Sequence, residues 1–242
     1  MKFFKKIFVS EEHQQKFAEK RKESRFPIAI EFPLIIEAHG ALLEPTTISL
    51  HGLSFFSPKN FDSELLKINF ILEQKELSLV AQVKHVTKKN KIHYGVEFNY
   101  RNDSQKKDYY QMILPIIVGN SLKEVNTENI EVIGKAGLRR VFKSNEDVTL
   151  NFYYIESGSA SHPLFFEFIF ENFLLSGSIQ EKNIKVFNRK TNQMIFVTPI
   201  PLIRETRQFT EIEEMILLFR WTILNLSKHF EKDDIEYLHS FL

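Results

Sequence analysis

The chain has 242 residues, enough for one large domain or for two domains of about 100 to 130 residues with separate cores. Its 32 basic and 31 acidic side chains leave a formal net charge of +1, so no overall field attracts nucleic acid, and we expect neither DNA nor RNA as a partner. The sequence has no cysteine, which excludes disulfides, thiolate metal sites and cysteine nucleophiles and fits the reducing environment of the cytoplasm.

The N-terminal region predicts no export signal and no membrane anchor. Lys5 and Lys6 interrupt its apolar run, unlike a secretory signal peptide. The longest apolar stretch, residues 215–226, is shorter than a membrane span, so we expect no transmembrane segment. Residues 11–23 are polar helix formers, and we predict a helical lead-in over residues 1–19.

Short β-branched and aromatic runs separated by charged turns follow, which is typical of a small antiparallel barrel over residues 20–118. Asn102 is a candidate N-cap for a helix that carries Tyr109 and Met112 on its apolar face, and Pro115 is expected to interrupt it. The predicted strands are 28–38, 46–56, 67–72, 77–86 and 93–98.

The second half of the sequence predicts a separate α+β domain. Residues 119–135 are polar with scattered aliphatics and are interpreted as a linker, so the domain covers residues 136–242. A long C-terminal helix from Glu211 to about Phe230 has a broad apolar stripe, suited either to core packing or to a partner surface. The 24 phenylalanines are interpreted as core filling. The predicted strands are 148–155, 163–170, 183–188 and 193–198.

Two short motifs lie about 22 residues apart in the first half. The first, Arg21 to Arg25, reads RKESR, and the second, Thr47 to Gly52, reads TISLHG. With the later YGVEF at residues 94–98, the sequence resembles the PilZ family, whose signature is RxxxR followed by (D/N)xSxxG on an early barrel strand. The resemblance covers about residues 15–117 and implies a PilZ-like β-barrel with flanking helices.

The resemblance implies that cyclic di-GMP is the ligand, without catalytic residues, metal or other cofactor. Arginine's planar fork pairs with phosphate oxygens or with guanine O6 and N7, which suits Arg21 and Arg25. Ser49 is expected to donate its hydroxyl to the ligand, and Gly52 to permit close backbone approach. Thr47 stands where the family has Asp or Asn, an acceptor for the donor edge of guanine.

The preferred function is therefore a cytoplasmic bacterial signalling receptor for this second messenger, acting on motility, adhesion or a related process. Ligand binding is expected to clamp residues 20–25 against the barrel and to change the orientation of the second domain, which contacts a protein partner. One alternative is a degenerate PilZ barrel that serves as a nucleotide-independent interaction module. Another is an enzyme site within residues 136–242.

Other sequence features predict no chemistry. The sequence lacks the P-loop, dinucleotide-binding, nucleophile-elbow and HExxH motifs. Ser157 to His162 is interpreted as a hairpin loop rather than a nucleophile. Arg139 and Arg140, with Arg204 and Arg207, are interpreted as solvated loop residues, with a basic patch as the alternative.

Overall fold

The computed structural model describes residues 24–73, 75–155, 163–178, 180–181, 184–197, 211–226 and 230–242. The chain divides into two compact units, Met1–Ile117 and Val118–Leu242. None of the described helices is long and apolar enough to cross a membrane. The lead-in predicted over residues 1–19 and the loop at Ser157 to His162 lie outside the described residues, as do Arg204 and Arg207.

The first unit contains a curled antiparallel sheet of eight strands that forms a half-barrel, confirming the predicted mainly β class. Its spatial order is β1-β4-β5-β8-β7-β6-β2-β3. The strands are β1 (Phe26–Pro27), β2 (Leu34–Ala38), β3 (Ala41–Leu42), β4 (Glu44–Ile48), β5 (Gly52–Ser57), β6 (Leu65–Leu72), β7 (Lys75–Lys88) and β8 (Ile92–Asn99).

One helix, α1 (Asp103–Ser121), follows this sheet in the sequence. Asn102 caps it as expected, because its side-chain oxygen accepts the backbone N–H of Gln105 at 2.9 Å. Tyr109 is fully buried and meets the rings of Phe70 and Phe98 edge-on, with centroids 5.1 and 4.9 Å away. These contacts anchor the helix within the apolar core of the first unit.

The helix and two predicted strands differ from the sequence prediction. Pro115 lies inside α1 rather than ending it, and its apolar neighbours Leu114 and Ile116 are fully buried. The strand predicted over residues 28–38 begins only at Leu34, after a turn. The segment predicted as one strand over residues 46–56 is instead a hairpin, in which β4 and β5 pair across a turn at residues 49–51. Apolar residues alternate with polar ones on both sides of this turn.

The second unit contains an antiparallel meander of seven strands in sequence order, with two helices in its C-terminal part. The α+β class expected for this half is confirmed, although the long helix ends at Leu224 rather than near Phe230. The elements are β9 (Lys123–Val132), β10 (Lys135–Lys143), β11 (Thr149–Ile155), β12 (Phe165–Phe170), β13 (Phe173–Ser178), β14 (Ile184–Asn188), β15 (Gln193–Val197), α2 (Glu211–Leu224) and α3 (Lys232–His239).

The segment 119–135 differs from the predicted linker. Its first residues complete α1, and residues 123–132 form β9, which pairs with β10 along its length. The sequence hides this strand because β9 lies at the sheet edge and is exposed at most positions, so most of its residues are polar and its few apolar residues show no alternation. Strands β10 and β13 are also absent from the sequence prediction.

Phenylalanines fill the core between the second sheet and its helices. Phe219 of α2 stacks on Phe166 with ring centroids 5.0 Å apart and planes 4° from parallel. Phe166 also meets Tyr237 and Phe241 edge-on. The apolar stripe of α2 is buried from Met215 to Phe219, which favours the core reading over a partner surface.

A buried charge network holds α3 against the sheet. Arg140 of β10 donates to Asp234 at 3.0 Å and to Glu124 at 2.7 Å, and the Tyr154 hydroxyl donates to Asp234 at 2.6 Å. Asp234 is fully buried, and burial raises its pKa against the opposing effects of Tyr154 and Arg140. The interpretation of Arg139 and Arg140 as solvated loop residues is wrong, because both lie in β10 and form ion pairs.

We expect Asp234→Asn to lower the free energy of unfolding of the second unit by about 2 kcal/mol, because it leaves the partly buried Arg140 with one fewer carboxylate. Urea denaturation at neutral pH measures this loss. Asp233→Asn, on the neighbouring residue of the same helix, is the matched control. Equal effects of the two changes would contradict the role assigned to the network.

The β12–β13 turn predicts a pH effect on stability. Glu171 adopts a positive φ of 50° there, and burial raises its pKa from the usual 4.5 to about 7. Between those pH values the folded state holds a proton that the unfolded state has lost, so stability falls as pH rises toward 7 and recovers on acidification.

Glu171→Gln should therefore stabilise the protein by about 1 to 2 kcal/mol at pH 8 and by little at pH 5. Thermal or urea unfolding at the two pH values measures the difference. Glu131→Gln, at an exposed position near the β9–β10 turn, is the control. A gain of the same size at both pH values would refute this explanation.

Candidate ligand-binding site

The strand register brings Arg25 to the strand pair that carries the second motif. Arg25 directly precedes β1, whose Pro27 pairs with Thr47 of β4, and Thr47 pairs in turn with Ser54 of β5. The Arg25 guanidinium donates from Nη1 to the Ser54 hydroxyl at 2.8 Å. Arg21, the other arginine of the first motif, lies outside the described residues.

Ser49 is part of the hairpin turn rather than of an open surface. Its side chain is buried, its hydroxyl donates to the Gly52 carbonyl at 3.4 Å, and the His51 N–H donates to it at 3.3 Å. The turn is held from below by Tyr109, which donates to the Ser49 carbonyl at 3.2 Å, and by Tyr100, which donates to the Leu50 carbonyl. The hydroxyl that the sequence assigns to the ligand is thus engaged in shaping the turn.

Position 52 must be glycine because the neighbouring strand β8 approaches its Cα closely. A Cβ at this position would lie 2.3 Å from the carbonyl oxygen of Val96 in β8. The close backbone approach expected from the sequence is therefore present, but the backbone that approaches belongs to β8. Gly52 fixes the distance between the motif hairpin and the rest of the sheet.

Thr47, Ser54, Gly95 and His85 are paired in sequence across β4, β5, β8 and β7, and we call these four residues the outer row. Residues paired across antiparallel strands share a face of the sheet. The chain neighbours of Ser54 and of Gly95, including Leu53 and Val96, are buried in the core. The outer row therefore lies on the face away from the core.

Sequence reasoning missed three rings on this same outer face. His93 lies between Phe56 and His85, with ring centroids 5.0 and 5.8 Å away, and its Nε2 is 3.5 Å from the Thr46 hydroxyl. Phe56 lies two residues after Ser54 in β5, and His93 lies two residues before Gly95 in β8, so both rings are on the face of the outer row. The alternation within each strand is visible in the sequence, but only the strand pairing shows that these rings are neighbours.

Charged pairs border the rings. Lys84 binds Glu97 at 2.8 Å, and this hydrogen bond and the lysine charge lower the pKa of Glu97. Lys91 binds Glu44 at 2.6 Å and lies 5.8 Å from the Phe56 ring centroid. An arginine fork, hydroxyls and ring faces together suit the binding of an aromatic anion.

The comparisons with known proteins agree with this geometry. The family model for the PilZ domain matches residues 19–114, which include the first motif, the β4–β5 hairpin and the outer row. No curated protein and no solved structure matches the chain. PilZ is a cyclic di-GMP-binding domain and not a catalytic one. Residues 19–114, nearly all of the first unit, are therefore similar to the PilZ domain.

Proposed function

We propose that this protein is a non-enzymatic cytoplasmic receptor for cyclic di-GMP that binds the ligand on the outer face of β4 and β5. The observation that carries the proposal is the Arg25–Ser54 hydrogen bond, which places an arginine of the first motif on the hairpin of the second. Arg21, four residues earlier in the sequence, is the second arginine proposed to contact the ligand.

The chemistry of the ligand explains why arginine is needed. Cyclic di-GMP presents two phosphates and two guanines, and a guanidinium pairs with either in a bidentate manner or stacks on the purine. In the described structure one nitrogen of Arg25 is used by a neutral hydroxyl, whose bond is weaker than one to a phosphate. A phosphate can therefore replace Ser54 as the partner of Arg25 at little cost.

The roles of the hairpin residues follow from their positions. Thr47, half-buried on the outer row, is proposed to contact the ligand directly. Ser49 and Gly52 are proposed to act through the shape of the turn and its distance from β8, since the Ser49 hydroxyl and the Gly52 Cα both face protein atoms.

The proposed output is a change in the segment that carries Arg21 and Arg25, which the second unit or a protein partner detects. Such a switch requires the ligand to bind the clamped state more tightly than the open one. Bacterial signalling in motility or adhesion is the process that we propose is regulated.

A second candidate function is a nucleotide-independent interaction module. Two observations favour it: Thr47 replaces the family's Asp or Asn, and the Ser49 hydroxyl is engaged within its own turn. This candidate expects no change in thermal stability when cyclic di-GMP is added.

We expect Arg25→Ala to raise the Kd for cyclic di-GMP roughly ten- to hundredfold, because a charge-assisted hydrogen bond is lost, and the double variant Arg21→Ala, Arg25→Ala to abolish binding. Isothermal titration of the full chain measures both. Arg101→Ala, an exposed arginine of the same unit, is the control and should bind as wild type does. Wild-type affinity in the Arg25 variant, or no binding by folded wild-type protein, would refute the receptor function.

Thr47→Asn should lower the Kd roughly tenfold, because it supplies the amide that the family has at this position. Thr47→Val, which keeps the shape and removes the hydroxyl, should weaken binding. Both are measured by the same titration. An asparagine variant that binds no more tightly than wild type would show that position 47 does not contact the ligand.

A further inference from the structure

The imidazole of His85 lies over the backbone of Gly95. A Cβ built on Gly95 would come within 2.0 Å of His85 Cε1 and 2.5 Å of its Nδ1, so the ring occupies the space that a side chain at position 95 would take. His85 itself is exposed to solvent. The glycine of the YGVEF segment thus makes room for an exposed ring on the sheet surface.

This ring adjoins the arginine contact. Gly95 pairs with Ser54, the residue that accepts the Arg25 hydrogen bond, and neighbouring strands are about 4.8 Å apart. The His85 ring is therefore one strand away from the position at which Arg25 meets the sheet. The Arg25 guanidinium and the His85 imidazole are therefore neighbours on the outer face of the sheet.

Two further rings extend this surface along the strands. His93 and Phe56 are partly exposed, pair with each other across β8 and β5, and continue from His85 with centroid spacings of 5.8 and 5.0 Å. We call His85, His93 and Phe56 the ring platform. Its three members come from three adjacent strands, so the rigid sheet determines their spacing.

We propose that the ring platform binds one guanine of the ligand while Arg25 binds the adjoining phosphate; this inference rests on the proposed function. Ring faces stack on any base, and imidazole nitrogens also reach the O6 and N7 edge of guanine as donors. His85 and His93 are then positions that determine affinity for the base, in addition to the two sequence motifs.

The composition of the surface favours a base over a metal ion. Within the part of the chain that the structure describes, no group of three or more His, Asp or Glu side chains is placed to hold a metal. The exposed Arg25 guanidinium lies beside the rings and supplies a positive charge, which suits a base joined to phosphates.

The test measures the affinity for cyclic di-GMP of full-length variants by isothermal titration. His85→Ala should raise the Kd roughly five- to thirtyfold, and His93→Ala should also raise it, because base stacking is lost. His85→Phe retains a ring and should recover most of the affinity. His239→Ala, an exposed histidine of the second unit, is the matched control.

Gly95→Ala provides an independent test that keeps the imidazole. Its methyl group overlaps the end of a side chain that can rotate away, so the fold tolerates it while the ring leaves the platform. We expect weaker binding in the wild-type background and little further loss in the His85→Ala background. Thermal unfolding of each variant verifies that it is folded.

The outcomes separate this inference from the function on which it rests. If wild type binds, Arg25→Ala binds more weakly and His85→Ala binds as wild type does, the receptor function stands and the ring platform is refuted. A phenylalanine variant as weak as the alanine variant also refutes stacking. Absence of binding in folded wild-type protein refutes both the receptor function and the platform.

Discussion

The close approach of β5 to β8 at Gly52 is the constraint on which the proposed ligand surface depends. Any side chain at this position would meet the Val96 carbonyl, so only glycine lets the two strands keep their register. That register places Ser54 beside Gly95 and Phe56 beside His93, and through β7 it adds His85. The glycine of the second motif thus acts first on sheet geometry, and the arrangement of the exposed surface follows from it.

The second unit is organised by a different interaction, the burial of aromatic rings between a meander and its helices. Stacking of Phe219 on Phe166 positions α2, and the Arg140–Asp234–Tyr154 network positions α3 against β10 and β11. Ring burial supplies most of the stabilisation, since it is proportional to the apolar area removed from water, whereas a buried ion pair mainly selects one arrangement. The second unit thus buries a charged network that orients a helix, whereas in the first unit the buried Ser54 accepts a hydrogen bond from the exposed Arg25.

Much of this was predictable from the sequence, and the failures have physical causes. The mainly β class, the Asn102 cap and the PilZ resemblance follow from local patterns that need no knowledge of pairing. The hairpin at Ser49 was missed because apolar residues alternate on both sides of a turn of only three residues, and β9 was missed because this exposed edge strand has few apolar residues and no regular alternation. The ring platform requires three strands to be aligned, and that alignment depends on a β-bulge between Val83 and His85 that no short sequence pattern shows.

The exposed edge of β9 has a consequence for how the protein behaves at high concentration. A free strand edge offers unpaired backbone groups to any second chain, yet this one carries charged side chains along its length, among them Lys123, Glu124 and Glu128. Glu124 and Glu128 bind Arg140 and Arg139 of the neighbouring strand. A second chain that paired with β9 would have to remove water from these charges, which disfavours association at this edge. Replacing them with apolar β-branched residues would turn the same edge into a template for association between copies.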